Sequence, residues 1–324
     1  MSESKTVLVS GGAGYVGSAL VSRLLRDTNW NVKVFDNLMY ESDSLFQFFN
    51  FEKFSFVKGD LRKFELSKIV ENVDYVVNLA ALVGEPICKK YPKEAKEINF
   101  EANINLAKIC EKQGIERYVM LSTCSNYGLR QNQKMLEEDD ELQPISLYSE
   151  TKVDSEKFLL NELSELPVIV LRASTAYGMA SRIRFDLLLH QFIFEAWEKK
   201  KINIFGANSW RPMVHVDDIA RAIILTLTKN EKIKSKDVFN VGSNDQNFKK
   251  IELAKIVSKR LSVDIMETES HKDPRDYRVS FDKITSELEF HTIHRPQESV
   301  EQIVTALENG LISDRILQES VNIK

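Results

Sequence analysis

The sequence predicts an α/β fold, in which a doubly wound parallel sheet is followed by a smaller α/β lobe. Short, apolar, β-branched runs alternate with longer amphipathic segments through the first half of the 324-residue chain. Strands this apolar on both faces must be covered on both sides, and helices between successive strands supply that cover. No internal repeat or Pro/Gly-rich linker interrupts this alternation.

Six strands are predicted between residue 6 and about residue 173. In chain order they are "TVLVS", "NVKVFD", "FSFVKGD", "DYVVNLAA", "RYVMLST" and "PVIVLRAS". Helices are predicted between them at 15–28, 64–72, 94–113 and 148–164. Further on, the pattern predicts a helix near 183–200, a short strand at "INIF", an alternating piece at 213–241 and a helix near 249–261. We therefore expect a main domain of residues 1–175 with a returning segment at about 211–245, and a smaller lobe of residues 176–210 and 246–324.

Composition and charge exclude several classes of protein. The net charge of -4, with Lys and Arg spread along the chain, gives no basic surface for nucleic acid. No apolar stretch approaches the roughly 20 residues that span a bilayer, and no apolar leader precedes the first strand, so we expect a cytoplasmic protein without a membrane partner. The cysteines Cys88, Cys110 and Cys124 lack C-x-x-C spacing, which argues against a disulfide framework and a zinc site.

A glycine-rich turn joins the first strand to the first helix. The stretch "GGAGYVG" fits two spacings, one running from Gly12 and one from Gly11, and both continue through Gly14 to Gly17. In either, glycines permit a tight turn, let a pyrophosphate approach the backbone at the helix N-terminus, and allow close packing of helix on strand. This pattern predicts a dinucleotide site, although a tight turn alone also needs glycines.

The second predicted strand ends in a carboxylate that strengthens this interpretation. Asp36 follows Gly17 by 19 residues, where a carboxylate can accept hydrogen bonds from the ribose hydroxyls of an adenosine. The same charge would repel a 2′-phosphate, and no arginine follows immediately in "DNLMY". The sequence therefore favours NAD over NADP as the cofactor, with Lys33 as the one nearby cation.

A tyrosine and a lysine lie one helical turn apart in "LYSETK". Tyr148 and Lys152 must share one face at the start of the predicted helix 148–164. A solvated helix face explains most pairs of this kind, so the pair gains meaning only from the surrounding motifs.

Those motifs resemble the extended short-chain dehydrogenases/reductases, the group with nucleotide-sugar epimerases, dehydratases and 4-ketoreductases. The resemblance covers most of the chain. The matching motifs, in the family's order, are "GGAGYVG", Asp36, "GDLR", "NLAA", Asn99, "STCSNYG", "YSETK", "RASTAYG" and "WRPMVHVDDIA". The resemblance implies a Rossmann-type sheet that binds NAD, with a substrate-binding C-terminal lobe.

The resemblance also implies a catalytic trio. Tyrosine has an ordinary pKa near 10, and a lysine ammonium one turn away, with the positive charge of the oxidised nicotinamide, favours its phenolate. Tyr148 would then be the general base and Lys152 would also hold the nicotinamide ribose. Thr123 would hydrogen-bond the reacting oxygen, whereas the nearby hydroxyls of Ser122 and Ser125 are interpreted as strand-end caps rather than catalytic groups.

Further cofactor and substrate contacts follow from the same resemblance. The residues assigned to the cofactor, besides Tyr148 and Lys152, are Gly11, Gly14, Tyr15, Val16, Gly17, Asp36, Asn37, Asp60, Leu61, Leu79, Ala80, Ala81, Asn99 and Ser174. Asn99 is expected mainly to brace local backbone. A nucleotide diphosphate suits the planar donor fork of arginine. The substrate candidates are Arg211 and Arg275, followed by Arg182, Arg184 and Ser125.

Departures from the family pattern disfavour one of the reactions that the family catalyses, dehydration of the sugar. Sugar dehydratases of this architecture carry an Asp-Glu pair directly after the catalytic threonine, where the present chain has Cys124 and Ser125. We therefore expect reversible hydride removal at C4 of a nucleotide-diphosphate sugar, with 4-epimerisation first and 4-dehydrogenation or 4-ketoreduction as the alternative. "DPRDYRVSFD" and the "RIRFDLLLHQF" helix resemble a branch that contains 4-epimerase-like proteins and a GDP-heptose 4-dehydrogenase of surface-polysaccharide synthesis. A non-catalytic NAD sensor on the same fold is the remote alternative.

The resemblance also implies an assembly. Helices 94–113 and 148–164 would pair across a two-fold axis into a four-helix bundle, which predicts a homodimer.

Overall fold

The computed structural model describes residues 4–40, 43–129, 134–229, 233–268, 275–313 and 316–317, and it confirms the predicted α/β fold. Its strands are β1 (Thr6–Ser10), β2 (Asn31–Asp36), β3 (Phe54–Lys58), β4 (Tyr75–Asn78), β5 (Arg117–Thr123), β6 (Met135–Leu136), β7 (Val168–Ala173), β8 (Thr175–Tyr177), β9 (Lys201–Phe205), β10 (Trp210–His215), β11 (Lys236–Val241), β12 (Asn247–Lys249), β13 (Asp264–Thr268) and β14 (Arg278–Val279).

Its α-helices are α1 (Tyr15–Asp27), α2 (Leu66–Val70), α3 (Glu85–Lys90), α4 (Pro92–Lys96), α5 (Asn103–Lys112), α6 (Leu147–Asn161), α7 (Leu188–Lys199), α8 (Val216–Thr228), α9 (Lys250–Leu261), α10 (Asp282–Leu288) and α11 (Pro296–Glu308). A π-helical segment spans Glu97–Ala102, and 3₁₀ turns span Asp43–Phe48, Cys124–Tyr127 and Asn244–Gln246. In the part of the chain just described, no helix is long and apolar enough to cross a membrane.

Seven parallel strands form the main sheet, in the order β11-β7-β5-β4-β1-β2-β3. The chain starts at β1 and runs outward through β2 and β3, then returns to β4 on the other side of β1. This reversal between β1 and β4 opens a crevice beyond the carboxyl ends of the strands, where parallel α/β sheets bind ligands. Ser10, the last residue of β1, is in register with Asn78 of β4, so both strands end at that crevice.

Both faces of the sheet are buried, which explains the unbroken apolar runs in its strands. In β1, Val7, Leu8 and Val9 are all fully buried. Val7 and Val9 pack in the cluster under α1 and α8, whereas Leu8 packs in the cluster with Tyr118 and Leu159 on the opposite face. The returning chain supplies β11 as the edge strand next to β7, so the sheet is completed by residues far along the sequence.

The elements outside the main sheet form a third apolar cluster. Helices α7, α9 and α11 pack around β9 and β13, with Leu189, Ile202, Leu253 and Ile303 at its centre. Strand β10 pairs with β8 and β12 in a three-stranded sheet between this cluster and the main sheet.

Two predicted helices differ from the structure. The helix expected near 183–200 starts only at Leu188, because the preceding residues form a loop whose Arg184 carbonyl oxygen lies 2.7 Å from Nδ1 of His190. The helix expected at 94–113 is α4, the π-helical segment and α5 in succession. Single π-helical turns within α-helices often occur near functional sites, and this one carries Asn99.

Candidate active site

A cavity at the carboxyl edge of the main sheet collects most of the predicted site. Its lining includes Gly11, Gly14, Tyr15, Val16, Gly17, Asp36, Asn37, Asp60, Leu61, Leu79, Ala80, Ala81, Tyr148, Lys152, Arg182 and Arg184. The glycine loop, the end of β2 and the start of α6 therefore face one space, although α6 begins more than a hundred residues after the end of β2.

The glycine loop is shaped by close backbone contacts. Gly11 has a φ of +79°, which L-residues with a side chain rarely adopt. A Cβ atom on Gly17 would lie 2.2 Å from the carbonyl oxygen of Gly11, so only glycine lets α1 pack this closely on the loop. Gly14 is the N-cap of the 13-residue α1, and the free N–H groups of the first turn face the crevice. This arrangement suits a pyrophosphate.

Asp36 is held rigidly at the end of β2. Its Oδ2 accepts a hydrogen bond from the Ala13 N–H at 3.0 Å, and its Oδ1 accepts one from the Leu38 N–H at 2.8 Å. Burial raises the pKa of this carboxyl group, and the backbone hydrogen bonds oppose that change. Each oxygen keeps a further lone pair for a ribose hydroxyl. With the glycine loop, these residues fit an NAD adenosine diphosphate.

Arg182 lies against the same end of the cavity. Its guanidinium stacks over the ring of Tyr40 at 4.3 Å, and its positive charge lowers the pKa of Asp36. The sequence assigned Arg182 to the substrate, but these neighbours put it beside the part of the cavity that suits adenosine. Tyr40, which the sequence reasoning did not single out, carries no motif that could have identified it.

The start of α6 presents Tyr148 and Lys152 to the cavity. Ser146 caps the helix, with its Oγ accepting a hydrogen bond from the Ser149 N–H, so the first turn is well defined. The Lys152 ammonium donates a hydrogen bond to the Leu121 carbonyl oxygen of β5 at 2.9 Å. Burial lowers the pKa of Lys152 to about 8. The lysine is therefore still mostly protonated at neutral pH.

Burial dominates the electrostatics of Tyr148. It raises the pKa of the phenol above the ordinary value, and the positive charge of Arg184 opposes this change. The expected effect of Lys152 together with the oxidised nicotinamide stays a prediction. Arg184 is fixed in turn by Asp186, to which its Nε and Nη2 donate at 3.0 and 2.5 Å.

Thr123 and Ser125 lie where β5 turns into the 3₁₀ segment Cys124–Tyr127. The Thr123 Oγ1 accepts a hydrogen bond from the Ser125 N–H at 3.1 Å and so caps this turn. The Ser125 side chain contacts Tyr277 through a hydrogen bond. Neither residue belongs to the cavity lining contributed by the described residues.

Four other predicted residues lie outside that lining as well. Asn99 braces backbone as expected, since its Oδ1 accepts from the Leu82 N–H at 2.8 Å and its Nδ2 donates to the Leu82 carbonyl oxygen. Ser174 is buried beside Cys124. Arg211 is buried and donates to the Trp210 carbonyl oxygen. Arg275 is exposed. Their predicted ligand contacts stay predictions.

Sequence reasoning missed a buried polar network behind Thr123. It joins Ser122, Asn126, Glu156 and Arg172. Glu156 follows Tyr148 and Lys152 at the same four-residue spacing, and that spacing was the available signal. Ser122, interpreted from the sequence as a strand-end cap, instead donates its hydroxyl to the Glu156 carboxylate.

Known proteins resemble this chain in sequence and in fold. A family model described as "NAD dependent epimerase/dehydratase family" matches residues 7–242. The "Uncharacterized UDP-glucose epimerase YtcB" of Bacillus subtilis is 29% identical over 74% of this chain and 77% of its own.

Two solved structures have the same fold. The UDP-glucuronic acid 4-epimerase from Bacillus cereus, in complex with UDP-glucuronic acid and NAD, has a TM-score of 0.84 at 22% identity over 94% of this chain and 99% of its own. DesIV, a dTDP-glucose 4,6-dehydratase from Streptomyces venezuelae with NAD and TYD bound, has a TM-score of 0.84 at 24% identity over 96% and 99%. At these identities the two likenesses concern the fold alone.

Proposed function

This chain belongs to the NAD dependent epimerase/dehydratase family, and we propose that it epimerises a nucleotide-diphosphate sugar at C4 by reversible hydride removal. The single observation that carries this proposal is that Tyr148 and Lys152 line the same cavity as the glycine loop and Asp36. A general base is thereby within one space of a dinucleotide cradle, as oxidation of a hydroxyl-bearing carbon requires.

The proposed roles follow from the charges around the pair. Bound NAD supplies a hydride acceptor and, when oxidised, a positive charge. Tyr148 takes the proton of the sugar 4-hydroxyl while the C4 hydride leaves, and it returns the proton when hydride comes back to the opposite face. Since burial raises the pKa of Tyr148, the positive charges of Lys152 and Arg184 assist this proton transfer. Thr123 orients the reacting oxygen.

The substrate is a nucleoside diphosphate linked to a sugar. Relatives named for UDP-glucose and UDP-glucuronate support this class and make these two compounds the first probes. We assign the anionic diphosphate to Arg211 and Arg275. We assign an anionic or strongly polar part of the sugar to Arg184, which lines the cavity with Tyr148 and whose charge acts on it. Ser125 would contact the sugar beside Thr123.

Dehydration is disfavoured by the residue after Thr123. Cys124 is almost fully buried, its thiol donates to the Arg172 carbonyl oxygen at 3.1 Å, and burial raises its pKa to about 12. It therefore lacks the free acid that 4,6-elimination would need at this position. The alternative function, 4-dehydrogenation or 4-ketoreduction, uses the same residues, and the branch that "DPRDYRVSFD" resembles contains both 4-epimerase-like proteins and a 4-dehydrogenase.

The experiment that separates the two functions starts from protein purified without added cofactor. The protein is unfolded, and the released nicotinamide nucleotide is identified and quantified. Near-stoichiometric NAD or NADH supports an epimerase, because the hydride must return to the same substrate. An empty protein that generates NADH during turnover supports the dehydrogenase instead.

We also propose a division of labour and an assembly. Residues 1–175 and about 211–245 form the NAD-binding unit, and residues 176–210 and 246–324 bind the nucleotide sugar. Two copies pair through α5 and α6. A homodimer in light scattering at micromolar concentration is the expected result, and a monomer would contradict the assembly.

A further inference from the structure

Glu156 is a buried carboxylate that none of the proposed roles uses. Only 1% of its surface is exposed, yet it is surrounded by donors from three other elements. Its Oε2 accepts from Nε and Nη2 of Arg172 in β7 at 3.0 and 2.8 Å. Its Oε1 accepts from Nδ2 of Asn126 at 2.7 Å and from the Ser122 hydroxyl. A charge buried this completely is costly unless every oxygen is satisfied, as here.

This carboxylate fixes the end of β5 relative to α6. The Lys152 ammonium donates a hydrogen bond to the Leu121 carbonyl oxygen, and the hydroxyl of the next residue, Ser122, donates one to the Glu156 carboxylate. Thr123 follows directly and caps the turn that contains Asn126, which is also held by Glu156. Lys152 and Glu156, on consecutive turns of α6, therefore hydrogen-bond Leu121 and Ser122, the two residues of β5 directly before Thr123.

Glu156 also sets the charge environment of Lys152, which lies one turn earlier on the same face. Its negative charge opposes the burial that lowers the pKa of Lys152. The other titratable neighbours are Cys88 from α3, which acts on Lys152 in the same direction, and Arg184, which faces Tyr148. Arg172 contacts Glu156 from β7, and the Tyr127 hydroxyl accepts a hydrogen bond from Nη1 of Arg172.

We propose that Glu156 is a positioning residue of the active site, which holds Thr123 in place through Ser122 and Asn126 and keeps Lys152 in its ammonium form. The structural role alone would be met by any acceptor of this shape, whereas the electrostatic role needs the negative charge. This inference rests on the proposed function in so far as Lys152 binds the NAD ribose, so its test measures NAD affinity rather than turnover.

The test is the NAD dissociation constant of the full chain between pH 6 and pH 10. In the wild type, affinity falls as pH rises through about 8, where Lys152 loses its proton. In Glu156→Gln, which keeps the shape but removes the charge, we expect the midpoint of this fall to move down by about 1 pH unit. Glu156→Asp should stay near the wild-type midpoint, and Lys152→Met should show no transition.

A second variant guards against misfolding. Glu156→Gln leaves the Arg172 guanidinium buried without its carboxylate, which can unfold the chain. The double variant Glu156→Gln/Arg172→Gln removes both charges. The midpoint of its NAD-affinity profile should move down in pH as in Glu156→Gln, because Arg172 is not among the charges that act on Lys152. Equal midpoints in wild type and in the folded charge-free variants would overturn the proposal. Absence of epimerase activity with an intact shift would overturn the proposed function and leave this inference standing.

Discussion

The ammonium of Lys152 lies 2.9 Å from the carbonyl oxygen of Leu121, two residues before Thr123. This hydrogen bond ties the first turns of α6 to the end of the central strand β5. Tyr148, one turn earlier, lines the cavity beside the glycine loop. The base, its neighbouring cation and the hydroxyl of Thr123 are therefore presented by two elements that are joined directly.

Removing the Tyr148 hydroxyl should abolish turnover and leave the fold intact. We expect Tyr148→Phe to lower kcat by about 10²- to 10⁴-fold, the usual contribution of a general acid–base group. NAD affinity should change little, because the ring remains. Tyr91→Phe, at an exposed tyrosine, is the matched control. Steady-state kinetics with UDP-glucose and UDP-glucuronic acid provide the measurement, and unchanged kcat in Tyr148→Phe would remove this residue from the mechanism.

Replacing Arg182 should weaken NAD binding more than substrate binding. Its guanidinium stacks on Tyr40 and acts on Asp36, so its loss loosens the adenosine end of the cavity. We expect the dissociation constant of NAD to rise about 10-fold in Arg182→Ala, which corresponds to about 1.4 kcal/mol. Calorimetric titrations with NAD and with UDP check this, with Arg260→Ala, which removes an exposed ion pair with Glu301 and Glu308, as the control. A larger loss for UDP would restore the original assignment to substrate.

A methyl group at Gly17 should disrupt the dinucleotide loop. The added Cβ would lie 2.2 Å from the Gly11 carbonyl oxygen, so the loop or α1 must move. We expect Gly17→Ala to lower the free energy of unfolding by about 1–3 kcal/mol. We also expect the dissociation constant of NAD to rise at least 10-fold, which corresponds to about 1.4 kcal/mol or more of binding free energy. Gly114→Ala, where nothing lies within 4 Å of an added Cβ, tests backbone strain away from the site. Equal NAD affinity in both variants would contradict the proposed cradle.

Acid should destabilise the chain through a buried histidine. His190 is fully buried, and burial lowers its pKa to about 4. Its Nε2 accepts from the Gly178 N–H at 2.9 Å. The unfolded imidazole binds a proton near pH 6.5. Between pH 6.5 and 4 the unfolded chain thus binds more protons, and stability falls as pH falls.

Denaturant unfolding at pH 7, 6 and 5 measures this effect. We expect His190 to contribute a decrease of about 1.4 kcal/mol in the free energy of unfolding per pH unit within that window. His190→Gln should lose this part of the slope, and His291→Gln, at an exposed histidine, should keep it. A slope unchanged by His190→Gln would show that its proton is not linked to folding.

Much of the site could be predicted because its signals are local. The glycines need backbone freedom within one turn, Asp36 ends the next strand, and Tyr148 and Lys152 share one helix face. The stacking of Arg182 on Tyr40 and the contact of Ser122 with Glu156 could not be predicted. Both join distant segments, and no local pattern specifies which partner a buried or stacked polar side chain will meet. The extent to which burial raises the pKa of Tyr148 could not be predicted either, since burial depends on the whole fold.

The most direct test of the central claim uses UDP-glucose and UDP-glucuronic acid deuterated at C4. The enzyme is incubated with each compound in the presence of added NAD, and the sugar is analysed by NMR for configuration and deuterium at C4. We expect a sugar with inverted configuration at C4 that still carries deuterium there, because the hydride leaves and returns within one active site. A keto-sugar with deuterium in NADH would instead identify a 4-dehydrogenase. Complete retention of both configuration and deuterium, with no keto-sugar from either compound, would contradict C4 chemistry on these substrates.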